Sequence, residues 1–351
     1  MDVISDSLWG KLAIAGLVLL LSVSAFALTM GVFPSKNHMP VEGKTVLITG
    51  ASEGLGRSVA RQMAAKGANV ILVSRSAAKL ESALAEVRAA ARDPQAQRFH
   101  YLTADVSRPD YAVPLLAEAV AWNGGRAPDV VWCVAGVSTP ALWIETPLAA
   151  TRSQMDVNFW GSAELAHAAL RLWCGPGAAA ADEPPRHLVF TSSVVAFFPV
   201  VGYGPYTPAK GALRALADTL VQEVELYPQK VRVHVVYPGS ISSPGFEIEN
   251  RTKPEITKII EDGDPVQTPD DVAALAIAGL ERGYYSVTVA FLGHAMRWSA
   301  LGGAPRNSWL VDTIMSCLVP LAWIFILPDI FAKIRNYAKK HGHPATYQNK
   351  N

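Results

Sequence analysis

The chain has 351 residues, 31 of them basic and 30 acidic, for a formal net charge of +1, and half of its residues are apolar. That balance provides no basic footprint for nucleic acid, and a chain of this length can bury a full core. Its three cysteines, Cys133, Cys174 and Cys317, are odd in number and far apart. Lacking metal-ligand spacing, they predict no disulfide framework and no metal site.

In chain order, the first feature is Leu12 to Phe33, 22 residues without a charge, preceded by Lys11 and followed by Lys36 and Lys44. As a helix it could cross a hydrocarbon core about 30 Å thick. A cleaved signal peptide is the competing interpretation, but the apolar run is longer than a usual signal core, and acids precede Lys11. Residues 1–40 are therefore expected to form an uncleaved transmembrane anchor.

Val46 to Ile48 is a short apolar strand that runs into Thr49-Gly50-Ala51-Ser52-Glu53-Gly54-Leu55-Gly56. A helical pattern follows, with Val59, Met63 and Ala64 on one side and Gly67 as its stop. Strand, glycine-rich turn and helix in that order make a dinucleotide pyrophosphate site, because glycines permit close backbone approach and a helix N-terminus attracts phosphate. The residues expected at the pyrophosphate are Gly50, Ser52, Glu53, Gly54, Leu55 and Gly56. The spacing is TGxxxGxG, one residue wider at the first gap than the generic GxGxxG.

The next strand, Val70 to Val73, ends in Ser74-Arg75, with Lys79 one helical turn on. An acid at this point would hold the ribose hydroxyls of NAD, whereas basic residues accommodate the 2′-phosphate of NADP. NADPH is the cofactor expected; the plain alternative is a solvated basic surface. Ala77 to Arg92 reads as a helix, Phe99 to Thr103 as a third strand and Val130 to Val134 as a fourth, closed by Ala135-Gly136. This alternation predicts an α/β fold of Rossmann type, a doubly wound parallel sheet.

Thr146 to Cys174 is a long helical stretch with Asn158 inside it, and Gly175 to Pro185 is a surface loop. The strand His187 to Phe190 leads to Ser193, and Tyr206 and Lys210 follow four residues apart, on one face if this stretch opens a helix. A nearby ammonium favours the phenolate, which makes Lys210 the candidate for lowering the Tyr206 pKa. Taken alone, Tyr-x-x-x-Lys is a common surface-helix pattern. Arg232 to Tyr237 is a sixth strand ending in Pro238-Gly239, Pro269-Asp270-Asp271 starts a helix, and Ser286 to Phe291 reads as the last strand. Thr313 to Pro328 offers 16 uncharged residues interrupted by Pro320, with the basic tail Lys333, Arg335, Lys339 and Lys340 behind it. That is short for a span, and an interfacial or re-entrant segment would keep the basic tail on the cytosolic side.

The glycine turn, Asn158 in MDVNFWG, Ser193 and Tyr206-x-x-x-Lys210, in this order and spacing, resemble the short-chain dehydrogenase/reductase family. The likeness covers roughly residues 41–293, within an expected catalytic domain of residues 41–300 followed by a membrane-associated segment and tail of residues 301–351. It implies a catalytic set of Asn158, Ser193, Tyr206 and Lys210, with Asn158 shaping its helix and holding a water that connects the lysine to solvent. Asp105 and Val106 would lie beside the adenine, Lys210 would hold the nicotinamide ribose, and Pro238-Gly239 would start a segment that closes over the substrate. One departure is Val134-Ala135-Gly136, where the family carries Asn-Ala-Gly.

The words Ser243-Pro244-Gly245-Phe246 and Glu249-Asn250-Arg251-Thr252-Lys253-Pro254 resemble one branch of that family in particular, the 3-ketodihydrosphingosine reductases. The resemblance implies a membrane-anchored, NADPH-dependent carbonyl reductase acting on a long-chain lipid ketone. It also implies the endoplasmic reticulum membrane, with the catalytic domain facing the cytosol and a homo-oligomer compatible with the fold. A hydroxysteroid or retinol dehydrogenase remains an alternative, as does a catalytically silent membrane scaffold, although the intact Ser193, Tyr206 and Lys210 speak against the latter.

Overall fold

The computed structural model describes residues 36–178 and 183–344. Among them, β1 (Thr45–Thr49), β2 (Asn69–Ser74), β3 (Phe99–Thr103), β4 (Val130–Cys133), β5 (Arg186–Thr191), β6 (Val231–Tyr237) and β7 (Ser286–Thr288) form one sheet. Their order is β3-β2-β1-β4-β5-β6-β7, with every neighbour parallel. The order reverses between β1 and β4, and in such sheets the crevice beyond the strand ends at that reversal is where ligands bind.

Alternation along each strand sends side chains to two separate cores. Val46 and Ile48 of β1, Val70 and Leu72 of β2, and Val130 and Trp132 of β4 lie in one. Leu47, Ile71, Val73, Val131 and Cys133 lie in the other. Burial on both faces explains why these strands read as unbroken apolar runs and not as alternating ones. The first core is roofed by α1 (Gly54–Ala65), α2 (Ala77–Ala89) and α9 (Pro269–Glu281). The second is roofed by α3 (Ala112–Trp122), α5 (Gly161–Cys174) and α6 (Thr207–Glu223).

Three expectations need correction. The stretch Thr146 to Cys174 is not one regular helix: α4 (Leu148–Met155) passes through a π-helical turn at Asp156–Trp160 before α5 begins. The last strand stops at Thr288, and Phe291 instead opens α10 (Phe291–Ser299) after Ala290. The fourth strand ends at Cys133, one residue earlier than expected, because Val134 and Ala135 turn their amides to the Thr49 hydroxyl, at 3.1 and 3.2 Å. The expected anchor at Leu12 to Phe33 lies outside the described residues.

Past the sheet, α7 (Pro244–Thr252) and α8 (Glu255–Ile260) stand over the strand ends, and α11 (Trp309–Leu318) and α12 (Pro320–His341) finish the described chain. Among the described residues no single helix is long and apolar enough to cross a membrane, but α11 and α12, bent by 42° at the break, pass that test together. Proline explains the break: Pro320 at the start of α12 donates no backbone N–H to the turn before it. Trp309, Leu310, Ile324, Phe325 and Phe331 are exposed along this pair.

A buried ion pair ties α11 to the sheet. Arg297 Nη1 donates to Asp312 Oδ2 at 3.1 Å, Nη2 donates to Oδ1, and Trp298 Nε1 donates to the same Oδ1 at 2.8 Å. Asn307, whose amide N–H also donates to Asp312, makes two hydrogen bonds with the Ser286 backbone and so covers the edge strand β7. Burial pushes the Asp312 carboxyl up, but the bonds from Arg297, Trp298 and Asn307 outweigh it and hold the group below the usual carboxylate range.

A carboxyl held below its unfolded pKa stabilises the fold above that pKa, and the contribution is lost as pH falls through the folded value. Asp312→Asn should therefore destabilise the protein by about 3–5 kcal/mol at neutral pH, since it leaves the Arg297 charge buried and uncompensated. The difference from the parent should shrink below about pH 4. Denaturant titrations at both pH values check this; equal stability at neutral pH would contradict it.

Candidate active site

The site lies at the C-terminal ends of the strands, in a cleft of about 590 Å³ that runs from Arg75 to Met296. At its dinucleotide end, Gly50 has φ +68 and brings the chain so close to β4 that an added Cβ would meet Ala135 at 2.8 Å. A Cβ at Gly56 would meet the Gly50 carbonyl oxygen at 2.3 Å, which is what seats α1 directly behind the turn. The α1 N-terminus has no acid in its first turn, and its N-cap residue Glu53 makes no side-chain cap. Its amides and dipole are thus left to a phosphate. Glu53 instead pairs with Lys79 at 2.6 Å.

Ser52, Glu53, Gly54 and Leu55 line this end together with Ser74, Arg75, Lys79, Asp105 and Val106. The Ser52 and Ser74 hydroxyls stand 2.8 Å apart. Asp105 is turned inward, accepting from the Ser107 amide at 3.1 Å and from its hydroxyl at 2.7 Å. A glycine cradle, an uncapped helix start and the flanking Arg75 fit the pyrophosphate and ribose of a dinucleotide, while Lys79 beside it is paired with Glu53.

At the other end Ser193, Tyr206 and Lys210 come together. Ser193 follows β5 and caps a short 3-10 turn through its own hydroxyl, which accepts from the Val195 amide at 3.4 Å. Tyr206 occupies the N-cap of α6, with Pro208 in the first turn, so the helix begins immediately after it and carries Lys210 inward. Lys210 is 3% exposed, and its ammonium donates to the Thr191 carbonyl at 2.9 Å, 5.6 Å from the centre of the Tyr206 ring. Burial pushes its pKa down to about 8.

Lys210 is not the dominant influence on the Tyr206 phenol. Burial holds the Tyr206 phenol above its ordinary value, the Glu249 charge adds to that, and a hydrogen bond with Ser193 works the other way. Burial and Glu249 outweigh the lowering expected from Lys210, and Tyr206 keeps its proton at neutral pH.

Asn158 sits in the π-helical turn, fully buried, and its amide grips the Val137 backbone with both ends: Oδ1 accepts from the amide at 3.0 Å and Nδ2 donates to the carbonyl at 2.8 Å. It thereby fixes Gly136, where an added Cβ would stand 3.4 Å from the Lys210 ammonium. Pro238 and Gly239 line the cleft at the end of β6.

Comparison with known proteins gives the same answer from outside the structure. The short chain dehydrogenase family matches residues 44–254. The chain belongs to the short-chain dehydrogenase/reductase family. It is 56% identical to the 3-ketodihydrosphingosine reductase gsl-3 of Neurospora crassa over 94% of this chain and 91% of that protein. The likeness to the 3-ketodihydrosphingosine reductase ksrA of Aspergillus fumigatus is 45%, over 88% of this chain and 89% of that one. Among solved structures, a short-chain dehydrogenase from Sphingobium yanoikuyae in complex with NADPH superposes with a TM-score of 0.60 at 24% identity, over 74% of this chain and 92% of that one.

Within a short-chain dehydrogenase/reductase scaffold, sequence reasoning missed several supports. Thr191 supplies the carbonyl for Lys210, and the Ser192 hydroxyl donates to the Lys210 carbonyl at 2.9 Å, so two residues next to Ser193 lock the catalytic helix to β5. The Thr49 hydroxyl accepts from two amides of the β4 turn and so ties that turn to β1. Adjacency to Ser193 was the only signal for Thr191 and Ser192. Tyr203 is excluded as the proton donor on geometry: its hydroxyl donates to Glu249 Oε1 at 2.6 Å, and burial with that carboxylate holds its proton firmly.

Tyr206→Phe removes the hydroxyl and keeps the ring, so turnover should fall by about a hundredfold or more while cofactor affinity stays within a few-fold. Steady-state kinetics with a parallel cofactor-binding titration checks this; near-parent turnover would mean that Tyr206 is not the proton donor.

Proposed function

We propose that the chain reduces the ketone of 3-ketodihydrosphingosine to the secondary alcohol, using NADPH, at a membrane. The observation that carries the proposal is the convergence of Ser193, Tyr206 and Lys210 in one cleft, within a chain 56% identical over nearly its whole length to a 3-ketodihydrosphingosine reductase. A nicotinamide cofactor in the cleft supplies the hydride. Tyr206, which holds its proton at neutral pH, gives it to the developing alkoxide, and Ser193 hydrogen-bonds the same oxygen. Lys210, held at the Thr191 carbonyl, keeps a titrating ammonium close behind the phenol.

NADPH in preference to NADH is supported by the second-strand end. Arg75 is exposed there beside the Ser52 and Ser74 hydroxyls, a combination that suits a 2′-phosphate, and Lys79, paired with Glu53, stands next to it. The membrane part of the proposal is supported by the exposed apolar side chains of α11 and α12 and the basic residues that follow them. Trp323 of α12 stacks on Phe198 with ring centroids 4.9 Å apart, and Phe198 lines the cleft, so the apolar helix leads directly to the reaction site. An apolar tail gains about 0.8 kcal/mol per CH₂ in the bilayer, which is where such a substrate resides. The proposal places the chain in the endoplasmic reticulum membrane, with the catalytic domain on the cytosolic side.

The detergent-solubilised full chain, assayed with 3-ketodihydrosphingosine, a steroid ketone and a retinal, each with NADPH and with NADH, tests the proposal. The expected result is a kcat/KM at least about tenfold higher for 3-ketodihydrosphingosine with NADPH than for any other combination. Faster reduction of the steroid or the retinal would overturn the substrate assignment, and equal use of NADH would overturn the cofactor assignment.

A further inference from the structure

The wording PGFxxEN...KP supplies no group that itself carries the hydride or the proton, yet the structure brings its two charged members into the wall of the reaction cleft. Ser243 caps α7 by accepting from the Phe246 amide, and α7 carries Glu249 and ends at Lys253. Glu249 lines the cleft with a side chain 15% exposed. Two groups hold it: the Tyr203 hydroxyl at 2.6 Å and the Lys253 ammonium at 3.0 Å, both on Oε1. Oε2 is left with lone pairs for a further donor.

The charges in this wall do not balance. Lys253, 2% exposed at its side chain, is shared between Glu249 and Glu261, the latter at 2.7 Å. One ammonium faces these two largely buried carboxylates, and Asp264, which lines the same cleft and feels both Glu261 and Lys253, adds a third carboxyl, so the wall carries more acid than base. Uncompensated charge at such a site is costly unless a cation arrives. Glu249 also lies close to the chemistry. The Tyr203 ring that it binds is 6.0 Å from the Tyr206 ring, and the Glu249 charge is felt at the Tyr206 phenol.

We infer that Glu249 is the residue that recognises the substrate's ammonium group, so that the cleft selects α-amino ketones over plain ketones. The inference rests on the substrate class proposed above, in which the carbon bearing the ammonium is bonded to the carbonyl carbon. With the carbonyl oxygen on Tyr206 and Ser193, the ammonium falls on the Tyr203 side, where Glu249 supplies the missing counter-ion. Occupation has a second effect: the arriving positive charge offsets the Glu249 charge beside Tyr206 and eases release of the phenolic proton. An amine-bearing substrate thereby adjusts its own proton donor. A purely structural Glu249, serving only to strap α7 to Tyr203, would make no distinction between an amine and its absence.

The test compares kcat/KM for 3-ketodihydrosphingosine with that for the matching ketone in which hydrogen replaces the amine, in the full chain and in Glu249→Gln. The ratio of the two should fall on the order of thirtyfold in Glu249→Gln, mainly through KM of the amino ketone. In Tyr203→Phe, which loses the hydrogen bond but keeps the carboxylate, the ratio should stay within a few-fold of the parent. Equal losses for both ketones in Glu249→Gln would reduce Glu249 to a strut and overturn the inference. A measurement that needs no variant is competition in the parent: a long-chain primary amine should inhibit at least about tenfold more strongly than the alcohol of the same length, and equal inhibition would also overturn it. If the parent itself does not reduce 3-ketodihydrosphingosine, the substrate assignment falls and takes the role of Glu249 with it. If it does, a failed ratio test removes the role of Glu249 alone.

Discussion

The active end of the molecule is built around one buried cation, the ammonium of Lys210. An ammonium removed from water must find acceptors in fixed positions, and the last residue of β5 supplies one through the Thr191 carbonyl. The neighbouring Ser192 hydroxyl binds the Lys210 carbonyl, so backbone and side chain of the lysine are both fastened to the strand that carries Ser193. Because Lys210 belongs to the first turn of α6, fastening it also fixes the N-cap, which is Tyr206. Position 136 is a glycine where an added Cβ would crowd Asn158 Oδ1 at 3.0 Å and touch the ammonium at 3.4 Å, and Asn158 pins the next residue through two hydrogen bonds. Three segments distant in sequence are thus held by the solvation needs of one charge.

The same constraint sets the electrostatics. Burial lowers the Lys210 pKa to about 8, close to physiological pH, while burial and the Glu249 charge raise that of Tyr206. The phenol therefore holds its proton, the condition a reductase needs in a donor. Cations arriving in the cleft change this balance, and a substrate ammonium next to Glu249 is one of them. Along this line, the distinction between Tyr203 and Tyr206 is one of partners. Tyr203 has committed its proton to a carboxylate, whereas the Tyr206 phenol is eased by the Ser193 side chain.

Much of this was legible in the sequence because it rests on short-range physics. Strands buried on both faces must be apolar throughout, and Val46, Val70 and Val130 begin such runs. The glycine turn was legible because the chain approaches too closely at Gly50 and Gly56 for any Cβ, and the φ of Gly50 also favours glycine. Harder features had a long-range or non-periodic cause. The π-helical turn at Asp156–Trp160 adds a residue to a helix without disturbing its apolar pattern enough to show. The short β7 ends where Ala290 becomes the N-cap of α10, and its edge is covered at Ser286 by Asn307, from farther along the chain. Glu249 and Lys253 were visible as letters, but their meaning depends on Tyr203, 46 residues away from Glu249, which no local pattern connects to them.

The measurement that bears most directly on the role of Lys210 is an NMR titration of its side-chain ammonium. The ligand-free full chain, labelled on lysine nitrogen, would be compared with Lys210→Arg, in which the assigned resonance is missing. A pKa near 8 is the expected result, matching a buried ammonium held by the Thr191 carbonyl. Titration at the ordinary lysine value of about 10.4 would contradict it, showing that the ammonium is solvated and that the end of β5 is not organised around it.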